Sequence, residues 1–193
     1  EESKRKGAEE ELLVTLPYSG KKFGVPKNVY IIGTMNTADR SIATLDTALR
    51  RRFYFKEMLP NPDVLAGIEV DGVSISNLLE RINKRIEVLY DREHTIGHSY
   101  FMALKKDTSI DTLARIFENN IIPLLQEYFY EDYEKIRLVL GDSKKADKDT
   151  MFIIAEQNDY SSLFGNVDVG LDEGYRYEIN KKTFRNIEAY RSI

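Results

Sequence analysis

The chain has 193 residues, 42% of them hydrophobic, and sets 28 Lys and Arg against 32 Asp and Glu for a formal charge of −4. That length and composition support one domain or a small pair with a real core and exclude a collagenous, linker-like or wholly disordered chain. Mild acidity argues against a non-specific DNA clamp, and zero cysteines exclude a disulfide scaffold, a thiolate metal site and cysteine catalysis.

Residues 1–11 mix both signs of charge without an apolar stripe and read as a solvated or frayed start. Residues 12–16 (LLVTL) read as a strand, Pro17, Tyr18, Ser19 and Gly20 as a turn, and Phe23, Gly24 and Val25 as the way out, together a short hairpin or bent ribbon. After Pro26, residues 29–32 (VYII) have the β-branched and aromatic character of a strand buried on both faces. A polar stretch, GTMNTADRS at 33–41, follows. Ile42, Leu45, Ala48 and Leu49 then fall on one helix face, and residues 53–58 (FYFKEM) read as a second strand. Two strands and one helix are half of a βαβ-type unit, so the α/β portion is expected to be incomplete.

From Asn61 onward the pattern turns helical. Asn61 and Pro62 fit an N-cap and first helical position, Gly67 ends that short helix, and Asp71-Gly72 is a two-residue hairpin signal. Ser76 is the expected cap of a longer helix striped by Leu78, Leu79, Ile82, Ile86 and Leu89. A second helix begins near Asp111 with Leu113, Ile116 and Phe117 inward, and Pro123 predicts a break or kink before Leu124, Leu125, Tyr128 and Phe129. Tyr133, Ile136, Val139 and Leu140 predict a helix stopped by Gly141. Residues 142–149 (DSKKADKD) read as a charged surface loop, residues 151–155 and 175–179 as strands, and Asn180 as the cap of a last helix carrying Phe184, Ile187 and Tyr190. No apolar run approaches the roughly 20 residues of a membrane span and no signal peptide is visible, so a soluble cytoplasmic protein is expected.

Several chemistries are missing from the sequence. There is no G-x-x-x-x-G-K-[ST] phosphate loop, no apolar strand ending in Asp-Glu, no G-x-S-x-G and no H-E-x-x-H. His94 and His98 stand four apart, but without further histidine or cysteine they do not predict a zinc site. The informative stretch is VYIIGTMNTADRSIATLDTALRRRF, residues 29–53. Ligands of open α/β sheets bind beyond the carboxyl ends of strands, where Asn36 and Asp39 would lie. An amide can hold a water and a phosphate oxygen at once, and Asp39 and Arg40 add an acceptor and a fork of donors. The alternative for this stretch is an Asx-turn followed by a helix cap. Three adjacent arginines, Arg50, Arg51 and Arg52, exceed what a helix C-terminal dipole needs and point to an anionic partner.

MNTADRS (35–41) followed by LDTALRRRF resembles the signature of the McrB-type AAA+ proteins, the nucleotide-driven subunits of modification-dependent (type IV) restriction systems. VTLPYSGKKFGVPKNVYIIG before it, IGHSYF (96–101) and IIPLLQEYFYEDYEKIRLVLGD (121–142) are similar to the same family. The resemblance implies a mixed α+β chain: an α/β fragment plus helical lid, a partial AAA+ module lacking Walker A and Walker B, which family members carry upstream. It implies three parts: residues 1–59 as the end of the α/β core, with a pre-sensor hairpin, sensor-1 strand and arginine-finger helix; residues 60–149 as the lid; and residues 150–193 as a small α+β extension.

By the same resemblance Asn36 matches the sensor-1 asparagine that orients the attacking water, with Asp39 and Arg40 in the same signature. Asp46, Arg51 and Arg52 face the neighbouring subunit's nucleotide, Arg52 as the leading arginine-finger candidate, and Gly97, His98 and Ser99 approach nucleotide from the lid. The implied cofactor is GTP (or ATP) with Mg2+, held mainly by upstream motifs. The implied partners are a homo-oligomeric, hexameric ring, a McrC-type nuclease, and methylcytosine-containing DNA through an N-terminal domain. The 193 residues alone are expected to be inactive. An ATP-driven MoxR-type remodeller and a non-catalytic helical interaction module are the alternatives.

Overall fold

The computed structural model describes residues 2–35, 51–165 and 174–193, which fall into two compact units, Glu1–Glu57 and Met58–Ile193.

In the first unit the expected hairpin is present. Strand β1 (Val14–Thr15) pairs antiparallel with β2 (Lys22–Phe23), Val14 opposite Phe23 and Thr15 opposite Lys22. The start of the chain is not frayed. After a 3-10 turn, Glu2–Lys4, the Lys6 amide donates to the Val25 carbonyl at 2.8 Å, and Lys6 bridges Pro26 in parallel. The Arg5 guanidinium donates to the carbonyls of Pro26 (3.0 Å), Lys27 (3.4 Å) and Val29. Carbonyls that cannot join a ladder need donors, and one arginine fork supplies several. Residues 29–32 and 53–58, expected as strands, carry no ladder. Tyr30 and Ile32 are 82% and 90% exposed, and among the described residues no strand lies beside them to satisfy their backbone.

The second unit holds the buried core, whose side chains run from Leu65 to Ile193 among the described residues. Its first turn is a 3-10 helix, Pro62–Leu65, capped as expected by the Asn61 side chain, which accepts from the Asp63 amide. Strands β3 (Glu69–Val70) and β4 (Val73–Ser74) form a two-residue hairpin across Asp71 (φ 46) and Gly72 (φ 78). Both positive φ values match the type I′ turn that Asp-Gly favours. The hairpin runs straight into helix α1 (Ile75–Leu89), so the cap is Ser74, the last strand residue, and not Ser76. Ser76 instead donates from within the helix to the Pro62 carbonyl at 2.9 Å. Leu78, Leu79, Ile82 and Ile86 of α1 are buried as its spacing predicts.

Helix α2 (Ile110–Ile116), capped by Ser109, is joined to α3 (Ile122–Tyr128) through a π-helical turn, Phe117–Ile121. The Ile122 amide reaches the Phe117 carbonyl five residues back, just before Pro123, which has no amide to give. Helix α4 (Tyr133–Leu140) ends at Gly141 in the left-handed conformation.

Residues 142–149 are not the solvated loop their charges predict. Asp142 is buried after α4, and its carboxylate accepts from the Lys145 ammonium (2.8 Å) and the amides of Phe152 (3.1 Å) and Ile153 (2.8 Å). The Lys145 ammonium also lies 4.5 Å from the Phe152 ring centroid. A charged pair enters a core only when its bonding capacity is met, and here a carboxylate meets three donors. Beyond it β5 (Ile153–Gln157) pairs antiparallel with β6 (Tyr175–Ile179), two residues later than expected for β5. The short helix α5 (Tyr160–Phe164) follows β5.

The terminal helix α6 (Ile187–Arg191) is capped by Asn186, not Asn180. A 3-10 turn, Thr183–Arg185, intervenes, and Asn180 donates its side-chain amide to the Lys148 carbonyl. Phe152, Phe184 and Tyr190 of residues 150–193 pack with Phe117 of the helical part in one aromatic nest. Phe117 stacks on Phe152 at 5.6 Å and meets Tyr190 edge-on at 4.9 Å.

Candidate functional site

Of the residues singled out for chemistry, Asn36, Asp39, Arg40 and Asp46 lie outside the described residues. Arg51 and Arg52 belong to the first unit, in a turn with exposed side chains. Gly97, His98 and Ser99 belong to the second and form one continuous feature there.

That feature is built from α1 upward. Asn83 sits beside the apolar stripe of α1, and its side-chain amide brackets Ile96: its Oδ1 accepts from the Ile96 amide at 2.7 Å, and its Nδ2 donates to the Ile96 carbonyl at 2.9 Å. The Ile96 side chain is fully buried, so this segment is held by both backbone and side chain. Gly97 is then the extended cap of a 3-10 helix, His98–Lys105, anchored by buried Phe101 and Leu104. A Cβ at Gly97 would stand 3.3 Å from Ser99 Oγ, tighter than ordinary contact. His98 Nδ1 accepts from the Asn61 amide at 3.1 Å, across 37 residues of sequence. The sequence marks Asn61 only as a cap and does not mark Asn83, whose one signal is a lone amide flanking an apolar stripe.

The two histidines do not share a helix face, because residues 91–97 are not helical. His94 is buried, its ring edge-on to Tyr90 (4.3 Å) and Tyr128 (4.9 Å). Asp91 Oδ1 lies 2.7 Å from His94 Nδ1 and accepts from the amides of Glu93 (2.8 Å) and His94 (2.9 Å). Partial burial pushes the Asp91 carboxyl up, but these bonds together outweigh it and hold the group below its ordinary value. Burial pushes the Tyr128 hydroxyl up to about 12. This cluster ties the end of α1 to α3. Among the described residues no group of three or more His, Asp or Glu could hold a metal ion, and no helix is long and apolar enough to cross a membrane.

The model of the McrB α-helical lid domain matches residues 74–137, from the cap of α1 to within α4. A relative in Escherichia coli (strain K12), the type IV methyl-directed restriction enzyme EcoKMcrB subunit, is 40% identical over 152 residues, 67% of this chain and 33% of its own length. This is a McrB-type chain. It spans about a third of the curated relative it matches, and the lid match contains Gly97, His98 and Ser99 together with Asn83. Arg51 and Arg52 stand before the lid match begins.

Proposed function

We propose that this chain is the sensor-1, arginine-finger and lid portion of a McrB-like nucleotide-hydrolysing motor, a partial AAA+ module that uses GTP with Mg2+. In this reading the chain works within a hexameric cytoplasmic ring, drives a McrC-type nuclease, and acts on DNA containing methylcytosine through a domain outside these residues. One observation carries it: MNTADRS and the arginine triplet stand in the same chain as a McrB lid, on its N-terminal side.

Asn36 would orient the attacking water, with Asp39 and Arg40 belonging to the same signature. Arg51 and Arg52, with Asp46, would face a neighbour's nucleotide; an exposed guanidinium fork suits charge developing on a transferring phosphoryl group. Gly97, His98 and Ser99 would approach the nucleotide from the lid. Mg2+, when bound, neutralises phosphate charge; none of the described residues forms a cluster that would hold it.

The test is complementation in the protein that joins this chain to its phosphate loop. Arg52→Ala should bind GTP and lose about 10³-fold or more in turnover, since a finger acts only in the transition state. Mixed with a protein lacking its phosphate-loop lysine, it should regain part of the activity, with Arg51→Ala assayed beside it. Mixed rings that form and recover nothing would overturn the finger assignment. Turnover by the 193 residues alone would overturn the reading as a partial module.

A further inference from the structure

His98 has two ends, and the structure accounts for one of them. Its Nδ1 accepts a hydrogen bond from the Asn61 amide. A backbone amide can only donate, so Nδ1 carries no proton and the neutral ring must carry its proton on Nε2. Nε2 finds no hydrogen-bond partner among the described residues, and it is not a buried atom. The Ile96 backbone immediately before it is clamped by Asn83, so the ring projects from a fixed segment. Asn61 is itself fixed, because its side chain caps the Pro62–Leu65 turn and it stands four residues after the first unit ends.

We infer that His98 is a positioning residue read from both sides: the entry segment of the lid selects its tautomer, and the selected tautomer offers one neutral N–H donor to an anionic oxygen. Resting on the reading of Gly97, His98 and Ser99 as nucleotide-facing, that oxygen belongs to a nucleoside triphosphate. The linkage runs both ways. An oxygen that binds Nε2–H favours the tautomer that keeps Asn61 held, so occupancy of the site and anchoring of the entry segment stabilise each other. His98 thus makes the lid's entry segment a reporter of occupancy.

Two isosteres separate the ends. His98→Asn places an acceptor near the Nδ1 position and removes the distal donor, whereas His98→Gln reaches toward the Nε2 position with a donor and gives up the bond to Asn61. In the isolated 193-residue chain, 15N-resolved imidazole spectra should place the His98 proton on Nε2. Amide exchange at Asn61 should be slow in the parent and in His98→Asn and several-fold faster in His98→Gln. In the protein joined to its phosphate loop, GTP affinity should fall roughly tenfold for His98→Asn, the scale of one hydrogen bond to a charged group, and fall less for His98→Gln, which keeps a distal donor but loses the coupling to Asn61. Adding GTP should slow Asn61 exchange further in the parent and not in His98→Gln. A proton on Nδ1, or equal Asn61 exchange in both variants, would overturn the inference while leaving the nucleotide site untouched. The expected spectra and exchange with unchanged GTP affinity in both variants would instead remove His98 from the nucleotide site and overturn that part of the proposed function.

Discussion

Replacing Asp142 by alanine tests whether the charged pair beneath β5 holds the second unit together. Both side chains are out of solvent, 0% exposed for Asp142 and 2% for Lys145. Burial pushes the Asp142 carboxyl up and the Lys145 ammonium down, and each opposes that shift in the other. Asp142→Ala strands an ammonium and two β5-side amides at once. Removing one partner of a buried pair costs about 3–5 kcal/mol, and about 4 kcal/mol is expected here because Lys145 keeps its contact with the Phe152 ring. At roughly 2–4 °C per kcal/mol for a domain of this size, that is a fall of about 10–15 °C in Tm. Lys145→Met should cost less, because Asp142 keeps two amide donors and loses only one. The double variant should be more stable than Asp142→Ala alone, since no unpaired ammonium remains. The assay is thermal and urea unfolding of the full chain, followed by the near-ultraviolet signal of the aromatic nest. An Asp142→Ala protein within about 1 kcal/mol of the parent, or a Lys145→Met protein that is equally damaged, would refute the account.

Other outcomes follow from single features. Gly141→Ala should cost about 2 kcal/mol or more by urea unfolding, because φ is +74 and the added Cβ would lie 2.9 Å from the Ser192 carbonyl and 3.0 Å from Arg85 Nη1. The Asp107 carboxyl is held below its ordinary value by hydrogen bonds from Thr112 and Ser109, a support present above pH 3.8 and lost as pH falls below it. Acid unfolding curves of Asp107→Asn should therefore run flatter below pH 3.8 than those of the parent. Tyr190→Phe removes the hydroxyl that donates to the Phe184 carbonyl at 2.7 Å inside the nest, and should cost about 1–3 kcal/mol in the same unfolding assay.

What could be read in the sequence was local. The Asp71-Gly72 turn, the stripe of α1 and the stop at Gly141 each depend on a few neighbouring residues, and each is present, while Pro123 is met by a π turn in a continuous helical run and not by a break. Sequence and structure part where two polar residues compete for one role within a few positions, as Ser74 with Ser76 and Asn180 with Asn186, since the choice depends on where the preceding strand or turn ends. The charge run that holds Asp142 and Lys145 predicts a solvated surface, as charge runs usually do. Only Phe152 and Ile153, at the entry to β5 and ten and eleven residues away, supply the amides that make their burial tolerable. In the candidate site, His98 was legible as a residue, but the amide that orients it lies 37 positions away and left no local mark. The two runs that failed to form strands have the composition of strands, and composition cannot supply a neighbour to pair with.

The π turn between α2 and α3 is one residue out of step with the helices on either side. A wider turn of this kind absorbs a single-residue insertion into a helix: each residue after it takes the place its predecessor would hold in an uninterrupted α-helix, about 100° away, while both flanking ladders stay intact. Ile121, Ile122 and Leu125 are buried in the phase set by that extra residue. The same sequence wound as one uninterrupted α-helix would carry Leu125 about 100° off its buried position. Single-residue gaps among related lids should therefore collect within Phe117–Ile121, each returning the turn to plain α-helix and leaving the apolar pattern that follows Pro123 unchanged.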